Sequence, residues 1–269
     1  DASALEQAAQ DFIQRFGAPD IVIANAGVSA GTLTEDKTDL ATFKGVIDIN
    51  LIGMVHTFQP FIKTMKQAGK GSLVGIASVA GIRGLPGAGA YSASKAAAIA
   101  YLESLRVELA PSGLHVTTIA PGYIRTPMTD INTYPMPFLM APELAAKKFA
   151  RAIEKKKRFI VIPWQMGWLA RLMRLLPAGV WDFLMKNAPH KAHANCNDVK
   201  SVFKNYSTTK QQHQSCPHKQ HNVQVGRIVA EPCEQGQQGW DGSTMNNNRR
   251  QPPQGVGRYF VQMLSEKTV

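Results

Sequence analysis

Residues 1–195 of this 269-residue chain contain no cysteine, since all three cysteines lie beyond them. A disulfide framework for the main body is therefore excluded, and a reducing compartment is the simpler expectation. Apolar runs of about eighteen uncharged residues, the length that a membrane-spanning helix needs, are also missing. No basic segment followed by an apolar leader opens the chain, so no signal peptide is predicted. These absences predict a cytoplasmic protein, either free or associated with a membrane surface.

Positive charge is concentrated in one segment of the chain. Residues 1–140 carry 10 basic against 11 acidic residues, whereas residues 141–193 carry 11 against 3, a net charge of +8. The overall net charge of +11 suggests nucleic acid at first sight. The near-neutral first half and the lack of a basic stripe with interleaved aromatics argue against a nucleic-acid partner. The local basicity fits a membrane surface or an acidic partner instead.

Residues 194–269 have the composition of a chain that cannot build a hydrophobic core. Leu, Ile, Val and Phe number 12 in this segment, whereas Asn and Gln number 18. A low-complexity, disordered tail is therefore predicted. The tail contains Cys216, His218 and His221, but no second pair of ligands follows at zinc-finger spacing. No metal site is predicted.

Short apolar runs alternate with long helical patterns between positions 1 and 163. The runs typical of buried strands are Ile21–Ala24, Ser72–Ala77, His115–Ala120 and Phe159–Ile162. The helical stretches are Ala4–Phe16, Leu40–Gln67, Ser92–Ala110 and Pro142–Lys155. This alternation predicts an α/β fold with a parallel sheet covered on both faces. Ligands bind such sheets at the carboxyl ends of the strands.

Polar and glycine-containing motifs follow these strands directly. In chain order they are Asn25-Ala26-Gly27, Ser78, and Pro121-Gly122 with Thr126. Tyr91 and Lys95 lie four residues apart, on one face of a predicted helix, and Asn50 lies within the long helical stretch. Each residue alone has a structural explanation, such as a helix-start aromatic, a solvated lysine or a polar core residue. Their joint occurrence in this order favours a catalytic site.

This set of motifs resembles the short-chain dehydrogenase/reductase family over about residues 1–163. The family's Asn-Ala-Gly triplet, serine, Tyr-x-x-x-Lys pair, Pro-Gly-x-x-x-Thr run and helix asparagine all occur at suitable spacing. The resemblance implies a Rossmann-like, doubly wound parallel sheet. It also implies an oxidoreductase that transfers hydride between NAD or NADP and a small-molecule carbonyl or secondary alcohol, and that forms homo-oligomers.

The resemblance assigns a role to each site residue. Tyr91 would be the acid/base, with Lys95 favouring its phenolate, and Ser78 would bind the substrate oxygen. Asn50 would hold a water that links Lys95 to solvent. The residues expected to bind the cofactor are Asn25, Ala26, Gly27, Tyr91, Lys95, Pro121, Gly122 and Thr126. The substrate would contact Ser78, Tyr91, Met128 and Phe138. The apolar character of the loop around Met128 and Phe138 predicts a lipophilic substrate.

The family's glycine-rich turn, Thr-Gly-x-x-x-Gly-x-Gly, does not occur in this sequence. By resemblance, Asp1 falls just after the family's third strand, so a partial sheet without its first three strands is expected. The edge of Ile21–Ala24 would then be unpaired, and these residues alone would be an inactive fragment. The residue that discriminates NAD from NADP is expected in the missing part. The alternative hypothesis is a catalytically inactive relative or truncated fragment acting as a binding module.

Residues 164–193 form a basic, amphipathic helical extension. On a helical wheel of Trp164–Leu176, one apolar arc is formed by Trp164, Trp168, Leu172 and Leu175, and is extended by Met166, Leu169 and Met173. The narrow remaining sector holds Gly167, Arg171 and Arg174. This pattern predicts a helix that lies at a membrane surface, packs over the sheet or forms a subunit contact. Peripheral membrane contact is accordingly assigned to residues 164–191.

Overall fold

The computed structural model describes residues 1–130, 132, 134–188 and 259–262, with the backbone alone for residues 127, 128 and 259–262. The strands in this part of the chain are β1 (Ile21–Ala24), β2 (Gly71–Ile76), β3 (Leu114–Pro121), β4 (Phe159–Ile162) and β5 (Tyr259–Gln262). They form one parallel sheet in the order β4-β3-β2-β1-β5. The α/β fold with a parallel sheet is confirmed.

Helices connect the strands, as the apolar periodicity predicts. The described helices are α1 (Ala2–Phe16), α2 (Asp39–Ile47), α3 (Gly53–Ala68), α4 (Gly89–Leu109), α5 (Pro127–Asp130), α6 (Pro142–Glu154), α7 (Trp164–Leu175) and α8 (Ala178–Met185). The predicted helix Leu40–Gln67 is in fact α2 and α3 joined by a π-helical turn, Asp48–Ile52. Two 3₁₀ turns, Val79–Gly81 and Ala110–Ser112, flank α4.

The core lies on both faces of the sheet. Strand β1 shows the alternation, because Val22 and Ala24 point towards one cluster while Ile21 and Ile23 pack against the other. The first cluster contains side chains of α1, α3 and α4, and includes the fully buried Phe58 and Leu102. The second cluster contains side chains of α6. The strands are therefore covered on both sides, which leaves their carboxyl ends to carry the polar motifs.

The tail supplies a strand that its composition did not predict. Strand β5 pairs with β1 in parallel, with Ile21 opposite Tyr259 and Ala24 opposite Gln262. These four residues occupy the edge of β1 that was expected to be unpaired. Tyr-Phe-Val-Gln is rich in strand-forming side chains, a local preference that an average over the whole tail conceals. The remaining tail, with Cys216, His218 and His221, lies outside the described residues.

Candidate active site

The carboxyl end of β2 and the start of α4 bring the predicted serine and tyrosine together. Ser78 follows β2 and caps the 3₁₀ turn Val79–Gly81, where its Oγ accepts a hydrogen bond from the Ala80 N–H at 3.2 Å. The Ser78 side chain is buried. Tyr91 lies in the first turn of α4 and shares a side-chain hydrogen bond with Ser78. The structure thus places these two hydroxyls, which are thirteen residues apart in sequence, next to each other.

Lys95 lies one helical turn after Tyr91 and is almost completely buried, with 3% of its surface exposed. Its Nζ donates a hydrogen bond to the carbonyl of Ile76 at 2.9 Å and lies 5.9 Å from the centre of the Tyr91 ring. An ammonium group carries three donors, so the bond to Ile76 uses only one of them. Burial lowers the pKa of Lys95 to about 8. Its proton is therefore easily exchanged near neutral pH.

The electrostatics around Tyr91 keep its hydroxyl protonated. Burial raises the pKa of the Tyr91 hydroxyl above its ordinary value, because the phenolate would lose its hydration. The hydrogen bond with Ser78 lowers this pKa, and the neighbouring Tyr123 raises it. With the proton in place, Tyr91 is suited to donate it to an oxygen that binds between Tyr91 and Ser78.

Asn50 links three elements of the site from the middle of the π turn. Its Oδ1 accepts from the N–H of Val28 at 2.8 Å, and its Nδ2 donates to the carbonyl of Val28 and to the Oγ of Ser94, both at 2.9 Å. Ser94 in turn donates to the carbonyl of Tyr91 at 2.8 Å. Ser94 was not predicted, because it is an unspecified position inside the Tyr-x-x-x-Lys motif. The network holds the segment after β1 against α4.

The Asn25-Ala26-Gly27 segment passes beside the lysine. A Cβ atom built on Gly27 would lie 3.2 Å from the Nζ of Lys95 and 3.4 Å from the Oδ1 of Asn50. The missing side chain therefore leaves room beside a buried ammonium group. Ala26 is buried and Asn25 is exposed. The space at Gly27 lies beside the two remaining donors of Lys95.

A second close approach fixes Ser78 relative to α4. A Cβ atom on Gly81 would come within 2.6 Å of the carbonyl carbon of Lys95 and 2.7 Å of its oxygen. Only glycine allows the 3₁₀ turn to lie this close to the helix backbone. Gly81 was not predicted, since a glycine three residues after a strand is also common in ordinary turns.

The segment after β3 carries the remaining predicted residues. Pro121 ends β3, and the backbone N–H of Thr126 donates to the Oγ1 of Thr129 at 2.9 Å. Phe138 is half exposed and has a positive φ of 59°. The side chain of Met128 lies outside the described residues. Of the two residues predicted to contact the substrate in this loop, the structure describes the side chain of Phe138 alone.

Two further tyrosines adjoin Tyr91. The rings of Tyr123 and Tyr134 lie edge to face with their centres 6.4 Å apart. Burial raises the pKa of both hydroxyls, and Tyr91 contributes to the rise at Tyr134. Neither residue was predicted, although Tyr123 directly follows Pro121-Gly122. Together with Tyr91 they form an aromatic wall.

The family profile described as short chain dehydrogenase matches residues 1–134, which contain Ser78, Tyr91, Lys95 and Asn50. The chain belongs to the short-chain dehydrogenase/reductase family. An uncharacterized oxidoreductase from Myxococcus xanthus is 39% identical over 166 residues, which cover 62% of this chain and 65% of the relative. A 2-dehydro-3-deoxy-L-rhamnonate dehydrogenase (NAD(+)) from Sphingomonas is 38% identical over 48% of this chain and 52% of the relative.

The chain thus spans between about half and two thirds of the length of these curated relatives. Among solved structures, a short chain dehydrogenase from Burkholderia cenocepacia in complex with NADP has a TM-score of 0.60. The match is 23% identical and covers 70% of this chain and 76% of that one. It supports the fold of this short-chain dehydrogenase/reductase chain.

Proposed function

We propose that this short-chain dehydrogenase/reductase is an NAD(P)-dependent oxidoreductase acting on a carbonyl or secondary alcohol, with Tyr91 as acid/base. The observation that carries the proposal is the hydrogen-bonded pair of Ser78 and Tyr91 with the buried ammonium of Lys95 beside them. A buried tyrosine that is hydrogen-bonded to a serine, with a buried lysine 5.9 Å from its ring centre, supports a proton-transfer site rather than a packing arrangement, since burying a lysine destabilises the fold.

In carbonyl reduction, each of the three residues acts on the substrate oxygen or on its proton. Ser78 donates a hydrogen bond to the oxygen as negative charge develops on it. Tyr91 donates its proton to the same oxygen, and Lys95 stabilises the phenolate that remains. A bound nicotinamide cofactor would supply the hydride in reduction and accept it in oxidation.

Reprotonation of Tyr91 is proposed to run through Lys95 and Asn50. The pKa of Lys95, about 8, allows it to gain and lose a proton near neutral pH. The two donors of the Asn50 amide are engaged by Val28 and Ser94, but its Oδ1 keeps one lone pair. We propose that this lone pair accepts a hydrogen bond from a water that links Lys95 to solvent.

Cofactor binding is proposed at the carboxyl ends of β1 and β3. The backbone of Asn25, Ala26 and Gly27 would pass along the ribose, which Lys95 would bind through its free donors. Pro121, Gly122 and Thr126 would contact the nicotinamide end, with Thr126 bonded to its carboxamide. The Sphingomonas relative is named for NAD(+) and the Burkholderia structure contains NADP. Both cofactors therefore belong in the test.

The substrate is proposed to be lipophilic and to contact Met128 and Phe138. The aromatic wall of Tyr123 and Tyr134, with half-exposed Phe138, supports this choice. The Sphingomonas relative is named for a sugar acid, so a polar substrate is the competing class.

We place this enzyme in the cytoplasm as a homo-oligomer.

The alternative function is a binding module without turnover. It is favoured by the lack of a glycine-rich turn anywhere in these 269 residues, and by β5 lying next to β1. In such sheets the glycine-rich turn and the following helix receive the cofactor pyrophosphate. We propose that residues 1–269 alone bind the cofactor weakly and are inactive.

The test is a set of NADH and NADPH titrations followed by turnover assays with apolar ketones and with sugar acids. The oxidoreductase proposal predicts turnover of the ketones by a form of the protein that binds one of the two cofactors. Tight cofactor binding without turnover of either class would instead support the binding module. Tight binding and turnover by residues 1–269 would contradict the proposal that these residues are inactive alone.

A further inference from the structure

Helices α7 and α8 expose several large apolar side chains. On α7, Trp164 and Trp168 are each 65% exposed and Leu175 is 81% exposed. The other members of this set, here named the α7–α8 face, are Leu172, Val180, Phe183 and Leu184. Scattered exposed apolar residues are normal, but eight on two consecutive short helices, these seven and Leu169, point to an interaction site.

The opposite side of α7 is already packed against the sheet. Met166, Gly167 and Ala170 are buried, and Met166 lies against Gly122 just after β3. The arc predicted on the helical wheel therefore divides into two parts. Its Met166 side packs over the sheet, whereas the side with Trp164 and Trp168 is largely exposed.

Arg83 holds the junction between the two helices. Its guanidinium donates hydrogen bonds to the carbonyls of Met173 and Leu176, at 3.1 and 3.0 Å, at the end of α7. It also lies 5.1 Å from the centre of the Trp181 ring on α8. These contacts fix the position of α8 relative to α7. The exposed apolar side chains of the two helices are therefore held in a fixed arrangement.

Unpaired cations lie beside the apolar residues. A cavity of about 190 Å³ is lined by Trp164 together with four basic side chains, named here the basic cluster: Lys148, Arg151, Lys155 and Lys157. Within the described part of the chain, no ion pair joins any of the four to a carboxylate. Arg171 adds a further cation, 5.3 Å from the centre of the Trp168 ring. Apolar and cationic groups therefore adjoin each other at Trp164 and Trp168.

We propose that the α7–α8 face and the basic cluster dock this protein on an anionic membrane surface. Tryptophan favours the boundary between headgroups and acyl chains, and leucine and phenylalanine enter the acyl region. The basic cluster binds the lipid phosphates and carboxylates. None of the described helices is long and apolar enough to cross a bilayer, so the contact is peripheral.

Charge selects this occupant over a second copy of the chain. In a two-fold symmetric contact the same patch forms both sides, so both basic clusters would lie within one interface. With a net charge of +8, residues 141–193 would repel their own copy and attract an anionic surface.

Docking also has a consequence for catalysis that rests on the proposed function. Met166 ties α7 to Gly122, which leads into the loop that carries Phe138. Docking of the opposite side of α7 would then hold the start of this loop one helix diameter, roughly 10 Å, from the membrane surface.

The test is sedimentation of the 269-residue chain with vesicles of phosphatidylcholine, alone or mixed with phosphatidylserine. We expect binding to the mixed vesicles that weakens with added salt. Changing the four residues of the basic cluster to Gln should weaken it by roughly a hundredfold or more. The matched control changes four exposed lysines elsewhere, Lys37, Lys63, Lys66 and Lys70, to Gln and should bind as the wild type does.

The apolar contribution is tested separately. Trp164→Ser combined with Trp168→Ser should abolish binding, whereas Leu40→Ser combined with Val107→Ser, which alters equally exposed apolar residues on α2 and α4, should not. Vesicles with brominated acyl chains measure the insertion of tryptophan into the bilayer while Trp164 and Trp168 stay in place. Tryptophan fluorescence should be quenched by them in a Trp181→Phe, Trp240→Phe variant that keeps Trp164 and Trp168.

Three results would overturn the proposal: no binding to the mixed vesicles, equal losses in the cluster and control variants, or no quenching by brominated lipid. A double tryptophan variant that dissociates an oligomer but still binds vesicles would assign the face to a second copy instead. Tyr91→Phe should bind vesicles normally. Failure of the catalytic proposal is therefore distinguishable from failure of this one.

Discussion

Lys95 is a site residue whose burial destabilises the folded state. It is buried with one hydrogen bond to Ile76, and its pKa falls from the ordinary lysine value to about 8. A pKa lowered by burial means that the charged form is disfavoured in the folded state. Between pH 8 and the ordinary lysine pKa, the unfolded chain binds more protons, so the free energy of unfolding rises with pH there.

We therefore expect Lys95→Met to stabilise the protein at neutral pH. The gain in the free energy of unfolding should reach up to about 3 kcal/mol, less the cost of leaving the Ile76 carbonyl without its donor. Urea unfolding at neutral and alkaline pH measures it, with the exposed Lys63→Met as control. The wild type should gain stability as the pH rises and the variant should not. An unchanged or lower stability of Lys95→Met at neutral pH would contradict the assignment of a costly buried charge.

The protonation state of Tyr91 predicts different pH profiles for the two directions of reaction. Alcohol oxidation needs the phenolate, and the pKa of Tyr91 is raised, so its rate should rise about tenfold per pH unit through neutrality. The rise should flatten above about pH 8, where Lys95 loses its charge. Carbonyl reduction needs the protonated hydroxyl and should stay level over the same range. Initial rates in both directions measure this, and an oxidation rate independent of pH would exclude Tyr91 as the base.

At the scale of elements, the contact between the Val79–Gly81 turn and α4 sets the distance from Ser78 to Tyr91. Gly81→Ala should force the turn away from the helix backbone and destabilise the fold by about 1–3 kcal/mol. Because Ser78 would move with the turn, kcat should fall by up to about a hundredfold.

Gly84→Ala is the matched control, since a Cβ atom there would meet nothing within 4 Å. Thermal unfolding and steady-state rates of the two variants provide the comparison. Equal behaviour of both variants would show that the close approach at Gly81 does not position Ser78.

The sequence predicts the strands and helices of residues 1–163 well, because the apolar runs and the motifs that follow them are both strong signals. Apolar runs such as Phe159–Ile162 coincide with strands, and the motifs follow those strands as a parallel sheet requires. The π turn around Asn50 could not be predicted, because the helices on both sides keep the ordinary apolar period and the turn shifts only its phase. Ser94 and Gly81 were missed for a different reason. Their roles come from contacts with distant segments, which no local pattern encodes.

At the scale of the whole molecule, strand β5 at the edge of the sheet shows what average composition does not predict. Strand β5 lies beside β1, although its surroundings in sequence predict disorder. A parallel edge offers backbone donors and acceptors that a short strand-prone segment can satisfy. Average composition describes the tail as a whole, whereas pairing depends on four residues. The predicted divisions of the chain at residues 163 and 193 stay predictions.

The central claim is that Tyr91 is the acid/base of a nicotinamide-dependent oxidoreductase. The most direct test compares Tyr91→Phe with Tyr101→Phe, which removes a half-buried hydroxyl from the same helix, in turnover and in cofactor titration. Both variants are made in a form of the protein that binds the cofactor. The claim predicts that Tyr91→Phe lowers kcat by a factor of about a hundred to ten thousand and changes the Kd for the cofactor only slightly, while the Tyr101→Phe rates are unchanged. Turnover of Tyr91→Phe at the wild-type rate would contradict it.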